Sequence, residues 1–328
     1  MLIGYICYNQ SKYKAVREYI LITFIINPTS GGGRSLKVWK RLETYLKQHN
    51  LKYNSFITKY KGEAREITAR ICAENCKDEE NIVVAVGGDG TVNDMIEGIC
   101  TNKKLIFGHI PAGTGNDLAR GLGLPKNPYL CLKRILDRKH IKALDYGILS
   151  FGSEGHKRFL VSSGIGFDAG IVEKYAEIKG KSRYRGGILK KFTYIKLGIK
   201  HLFEAKTNKG FILIDGVKKL EFNNIYFIST HIHPYEGGGF KFAPKAKNND
   251  GELSICLIHQ KSRYKFIKIL LASLLGGHLN YSGVKHYDCK EICIHFDAPC
   301  FVHADGELCG EYSDITLSCI PEKLKFIC

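Results

Sequence analysis

The first part of the chain carries two hydrophobic rhythms in turn. Runs such as ILITFII (residues 20–26), NIVVAV (81–86) and LIFGHI (105–110) are apolar almost without a break. Such runs suit parallel strands covered on both faces. Between them apolar residues recur at helical spacing, as at Val38, Leu42, Tyr45 and Leu46. KYNSFITKY reads as a further strand and GEAREITARICAEN as a further helix. Another helix starts near Thr91, and AGTGNDLARGLGL supplies a loop and a helix. This β-α-β-α order predicts a doubly wound parallel sheet to about residue 147.

Beyond that point the rhythm changes. GFILIDGVKKLEF reads as two strands around Asp215 and Gly216, a hairpin signal. NIYFISTHI, ELSICLIH, EICIHFD and CFVHA read as short separate strands. Helices are expected near 186–203 and 262–275. The predicted organisation is an N-terminal extension (1–21), an α/β domain (22–147) and a mostly antiparallel β domain (148–328). The last strand is free to return to the first domain.

Charge narrows the partners. The 328 residues carry a net charge of +17, and the excess is spread over both halves. Nucleotide phosphates, nucleic acid and an anionic membrane surface all suit such a chain. Twelve cysteines occur without a CxxC pair. The spacings Cys72/Cys76 and Cys289/Cys293 fit a helix face or chance better than a zinc ribbon. Reduced, buried thiols are expected. The basic residues at the N-terminus follow a short apolar stretch, the wrong order for a signal peptide. No apolar run reaches the ~20 residues that span a bilayer. A cytoplasmic protein, peripheral to the membrane, is expected.

Three glycine-rich loops carry the candidate chemistry: NPTSGGGR (27–34), GGDGTVND (87–94) and PAGTGNDLAR (111–120). Each joins a predicted strand to a predicted helix. Strand ends of open α/β sheets bind ligands, and helix N-termini attract phosphate. The first loop matches neither the P-loop nor the dinucleotide fingerprint. Its donors are Thr29, Ser30 and Arg34. Each loop also has a plain reading: a turn for the first, a helix cap at Asp89 or Thr91 with Asp94 for the second, an Asn/Asp cap for the third. Three such loops in one sheet are hard to explain as separate turns.

These loops, in this order and spacing, resemble the diacylglycerol kinase catalytic-domain family, in particular the bacterial soluble lipid kinases, relatives of sphingosine and ceramide kinases. The resemblance continues in GIGFDAGIV (164–172), GGGFKFAPKAKNNDGELSICLI (237–258) and VHADGE (302–307). It implies ATP as phosphate donor, Mg²⁺ as cofactor and diacylglycerol first among lipid acceptors. By this resemblance ATP is held by Asn27, Pro28, Thr29, Ser30, Gly31, Thr58, Gly87, Gly88, Asp89, Gly90, Thr91, Val92, Asn93 and Thr114. Asp250, with the carbonyls of Lys247 and Glu252, is implied to hold a structural Mg²⁺. Glu307 matches the proton acceptor, with Asp89 as the other candidate base; Asp305 is expected to orient Glu307 or bind nearby water. The chemistry is consistent, because a lipid alcohol is a poor nucleophile and a nearby carboxylate assists it. Asp250 before a glycine also reads as a turn former. Relatives often carry Asn before the glycine run, where this chain has His231, Ile232 and His233. The two histidines lack an evident third ligand and are expected to be structural.

Residues 179–203 contain no acid and interleave Lys and Arg with apolar side chains; KSRYKFIKILLASLLGG (261–277) repeats that character. The plain reading is a solvated basic face over a core stripe. The functional reading is docking on anionic lipid. No nucleic-acid module is recognisable, and self-association stays open. Two rivals remain: an NAD kinase, since GGDG occurs there too, and a non-catalytic basic protein on the same fold that binds membrane or nucleic acid.

Overall fold

The computed structural model describes residues 21–74, 80–100, 105–181 and 206–328. It is a mixed α/β protein whose second half is mostly strands. In the first half, β1 (Ile22–Ile26), β2 (Asn54–Ile57), β3 (Asn81–Gly87) and β4 (Leu105–Pro111) alternate with α1 (Arg34–Gln48), α2 (Glu63–Glu74), α3 (Asp89–Glu97), α4 (Asp117–Gly121) and α5 (Pro128–Asp137). The pairs β1/β2, β1/β3 and β3/β4 are all parallel.

The unbroken apolar runs have a direct cause. Along β3, Ile82, Val84 and Val86 pack into one cluster with Trp39, Leu42 and Leu46 of α1 and with Leu132 and Ile135 of α5. Val83 and Ala85 point the other way, into a cluster with Ile67 of α2 and Val92 and Met95 of α3. Side chains alternate across a strand, so a strand covered on both faces must be apolar at every position.

The second half comprises β5 (Ile141–Phe151), β6 (Gly155–Phe159), β7 (Ser162–Gly166), α6 (Phe167–Lys181), β8 (Asn208–Ile214), β9 (Lys218–His231), β10 (Leu253–His259), α7 (Arg263–Ser273), β11 (Val284–Cys289), β12 (Glu291–Ala304) and β13 (Glu307–Ile327). Asp215 and Gly216, both at positive φ, form the expected turn between β8 and β9. EICIHFD and CFVHA, expected as separate strands, join as β12. Their register against β13 breaks between His295 and Cys300, around Pro299, which has no N–H to give a ladder. The end of β13 pairs in parallel with β4, at Lys325 opposite Ile106 and Phe326 opposite Phe107. One sheet therefore runs β11-β10-β9-β7-β12-β13-β4-β3-β1-β2.

The N-terminal extension, most of the acid-free stretch 179–203, the helix expected near 186–203 and Cys76 lie outside the described residues. The other expected helix is α7. Among the described residues no helix is long and apolar enough to cross a membrane.

Candidate functional site

The three glycine loops converge at the ends of β1, β3 and β4. A Cβ on Gly88 would lie 3.0 Å from Cα of Gly113 and 3.4 Å from Ser30 Oγ. Asn27 Nδ2 donates to Thr91 Oγ1 at 3.3 Å, and Arg34 to the Gly113 carbonyl at 2.6 Å. Thr29 bonds back to Asn27 Oδ1 through its N–H and its hydroxyl, and Pro28 lies between them. Gly31, Gly32 and Gly33 all have positive φ, and a side chain on Gly31 would strike the Ala112 carbonyl. Here glycine is required by both conformation and space. Thr58 is buried beside β1, its N–H and hydroxyl bonded to the Ile26 carbonyl. Thr114 and Gly90 are exposed at the rim, Gly87 is buried at the end of β3, and Val92 is a fully buried core residue. The Val92 side chain thus faces away from the loops, correcting any contact with ligand beyond its backbone.

Asp89 does not cap its own helix, whose N-cap is Gly88 with no side-chain bond. Its carboxylate instead accepts the N–H groups of Asp117 (2.9 Å) and Leu118 (3.2 Å), the start of α4. The second loop is thereby tied to the third. Burial, then the neighbouring Asp117 carboxylate, push Asp89 up to about 7, against the pull of those N–H groups. Asp117 pairs with Arg120 and accepts the Gly238 N–H at 2.7 Å. The glycine run of the second half thus closes on the same corner.

Asp305 and Gly306 form a tight turn between β12 and β13, both at positive φ. The turn separates the two carboxylates that a continuous strand would have placed on one face. Asp305 accepts bonds from Asn93 Nδ2 (2.6 Å) and the N–H groups of Leu160, Val161 and Ser162 (2.8, 2.8 and 3.0 Å). Burial still pushes its carboxyl above the ordinary aspartate value. It is a strut joining α3 to the β6–β7 turn, and these bonds go to those elements and not to the Glu307 side chain. Glu307 faces Lys157 of β6 and Lys61, the latter at 2.8 Å from the loop after β2. Burial works to raise its carboxyl, but the lysines outweigh burial and hold it below the usual glutamate value. Asp94 lies close enough that Glu307, after burial, helps raise it. Since Asp94 is five residues from Asp89, about 7.5 Å along α3, that helix is the rail linking both carboxylates.

The loop 247–252 lies elsewhere. Asp250 is exposed and accepts the Glu252 N–H at 3.2 Å, a local turn bond. The buried Asp145, which the sequence reading missed, holds this loop. It accepts N–H bonds from Gly251 (2.8 Å) and Glu322 (2.7 Å) and donates its own N–H to the Asn248 carbonyl. The loop offers hard oxygen donors on a braced backbone, a set that fits Mg²⁺.

A second unforeseen group lies within the second half. Asp168, at the start of α6, Glu236 and His303 bring ligand atoms within 4.8 Å of one another. His303 Nε2 is 3.2 Å from Asp168 and 3.3 Å from Glu236. The two carboxylates overcome burial and raise the His303 imidazole to about 10. An imidazolium bridging two carboxylates completes an ion triad from within. His231 adjoins it, 3.4 Å from Glu236 and bonded to Ser229 Oγ; burial and then charged His303 depress it to about 3. His233, equally buried, packs by Gly121 and Asn248 instead.

Comparison with known proteins follows this division. Residues 21–148 match the family model described as the diacylglycerol kinase catalytic domain, and residues 162–328 that of the YegS C-terminal NAD kinase beta sandwich-like domain. The chain is 27% identical over 291 residues to the Bacillus subtilis protein named "Putative lipid kinase YtlR", covering 88% of this chain and 93% of that one. It is 26% identical over 291 residues to a diacylglycerol kinase of Mycobacterium tuberculosis, covering 87% and 88%. A crystal structure of a diacylglycerol kinase from Bacillus anthracis superposes with TM-score 0.66 at 21% identity, covering 94% of this chain and 96% of that one. That likeness speaks to the fold.

Proposed function

Since the chain belongs to the bacterial soluble lipid kinases, a diacylglycerol kinase catalytic domain followed by a YegS-type C-terminal domain, we propose that it transfers the γ-phosphate of ATP to the hydroxyl of a membrane lipid, diacylglycerol first among acceptors. The observation that carries this reading is the stacking of three glycine loops at Asp89, with Glu307 brought to the same helix by the second half. In this reading the α/β half is a doubly wound nucleotide domain. The loops at Asn27–Gly31, Gly87–Asn93 and Thr114, with Thr58 beside them, cradle the nucleotide. The backbone of the loops and the Ser30 and Thr29 hydroxyls supply the donors.

The hydroxyl oxygen of the lipid attacks the γ-phosphorus as the bond to the β–γ bridging oxygen breaks, and ADP leaves. The hydroxyl proton passes to Glu307. Lys61 and Lys157 keep Glu307 ionised beforehand and, in this reading, turn toward the transferring phosphoryl group, whose charge they match. Asp305 acts by position, locking the Glu307 hairpin onto Asn93. Mg²⁺ supplies charge neutralisation at the phosphates and a brace for the second half; Asp250 and the carbonyls of Lys247 and Glu252 are the residues to hold the structural ion.

Purified protein with labelled ATP, Mg²⁺ and a panel of diacylglycerol, monoacylglycerol, sphingoid base and ceramide tests this. Labelled phosphatidic acid is expected. Transfer to none of the four lipids would sink the reading.

A further inference from the structure

An apolar face lies outside the core on α7. The helix buries Phe266, Ile269 and Ser273 inward. On the other side Tyr264, Leu271 and Leu275 are 78%, 62% and 88% exposed, with Leu274 beside them. With the exposed Lys268, these positions follow one another at four, three and four residues, one stripe that continues into the turn after the helix. Isolated exposed leucines are ordinary. A helix with its core on one face and a second apolar stripe on the other has a surface suited to a partner.

The charge around the stripe tells which partner. No acidic residue occurs between Leu253 and Tyr287, while Lys261, Arg263, Lys265, Lys268 and Lys285 fall in that span. The first turn of α7 carries no acid, so its cations sit at the positive end of the helix dipole. That arrangement repels itself and is relieved by an outside anion. The partner therefore presents anionic groups beside an apolar layer. An anionic lipid bilayer has both in one plane, with an interfacial zone that suits the ring of Tyr264.

The helix is also wired to the candidate site. The Ser273 carbonyl at its end accepts the Lys241 N–H at 2.8 Å. Lys241 follows the glycine run whose Gly238 bonds to Asp117.

We infer that the outward stripe Tyr264–Lys268–Leu271–Leu275 docks the protein on anionic lipid bilayers. The inference rests on the lipid-kinase reading for its purpose and is tested apart from it. Flotation of the full chain is measured with phosphatidylcholine vesicles, with and without about 30% phosphatidylserine. The parent binds the anionic vesicles, and salt weakens that binding. Leu271→Gln with Leu275→Gln lowers partitioning by about tenfold or more. Lys265→Gln with Lys268→Gln lowers it about 25-fold on anionic vesicles alone, at roughly 5-fold per charge. Both variants melt like the parent, because the changed side chains face solvent. Both also keep parental turnover of a short-chain diacylglycerol dissolved below its micelle concentration. Should no lipid be phosphorylated while the vesicle results hold, the docking surface stands and the kinase reading falls. Parental vesicle binding in the leucine variant overturns the inference. So does a parental dimer that the leucine variant splits, or an RNA affinity that the lysine variant abolishes and the leucine variant leaves intact.

Discussion

Asp89 and Glu307 are two carboxylates served by one helix, and their surroundings drive them in opposite directions. Asp89 meets two backbone N–H groups in a buried corner it shares with Asp117, and is pushed up to about 7. Glu307 meets two ammonium groups and is held low. Backbone dipoles offset burial only in part here, whereas two full charges overcome it. The corner of Asp89 therefore changes charge near neutrality, while Glu307 stays ionised. An ionised but weakly basic Glu307 becomes a better acceptor when its lysines find another anion. Under the proposed function that anion is the phosphoryl group.

The hardest blow to this contrast is expected from Asp89→Asn. It leaves the side chain's shape but places an amide NH₂ against one of the two N–H groups, Asp117 or Leu118. Turnover should nearly vanish and nucleotide binding, read by calorimetry, should weaken. Wild-type turnover with only lower thermal stability would reduce Asp89 to a brace for α4. Next comes Glu307→Gln, which keeps the shape and removes the basicity. A fall in kcat of about 10²–10⁴-fold with near-parental ATP affinity is expected, the usual worth of a positioned base. Single-turnover transfer to diacylglycerol measures it. If Glu307→Gln turns over normally while Asp89→Asn collapses, the base is Asp89.

The strut between the regions should matter for stability as much as for rate. Asp305→Ala strips the partner from the Asn93 amide and three backbone N–H groups. Asn93 keeps the Arg158 carbonyl, so a loss of at least about 3 kcal/mol is expected from the three stranded backbone donors at about 1–3 kcal/mol each. With an unfolding entropy of about 2.1 cal/mol/K per residue over 328 residues, that corresponds to a fall of about 4 °C in melting temperature. An unchanged melting temperature would show the turn to be held by other contacts.

The smallest effects concern pH. Asp89 binds its proton more tightly folded than unfolded. Stability therefore falls as pH rises from about 4, its ordinary value, to about 7. Activity that needs the ionised group rises over the upper part of that window. Glu307 has the opposite sign: its contribution is full above the unfolded value and lost as pH falls through the lowered one. Lys157→Gln should lift the Glu307 titration more than Lys61→Gln, because the Lys157 side chain is 20% exposed and that of Lys61 is 77%. A carboxyl-carbon NMR titration of Glu307 would report both shifts, and equal shifts would contradict this ranking.

What the sequence revealed follows from how locally each feature is written. NIVVAV is legible because one segment contains all the evidence for a strand buried on both faces. The glycine loops are legible for the same reason. β6 was missed because its solvent-facing positions are irregular, and the extent of the last strand, β13, was missed because it owes its length to partners far away in the chain. The lysines that set Glu307, the Asp145 brace and the Asp168–Glu236–His303 triad join residues from separate segments. No window contains two members of that triad, and each alone looks like an ordinary acid or histidine. Aspartate 305 shows the intermediate case. A DG pair favours a turn, but the donors waiting for the carboxylate belong to the β6–β7 turn, β7 and α3.

The return of β13 to β4 has a consequence for how this chain is made. On a ribosome, the loops of the first half emerge long before Lys325 and Phe326, which close the β4 edge. Until then β4 exposes an unpaired edge, the kind that recruits foreign strands. The pairing also joins Ile106 to Lys325, 219 residues apart in the chain (325 less 106), a contact that forms slowly because so long a loop must close. A nascent or C-terminally clipped chain would carry its glycine loops on an open-edged sheet. Loss of the Lys325 and Phe326 pairing should therefore promote aggregation before it alters any contact among the glycine loops.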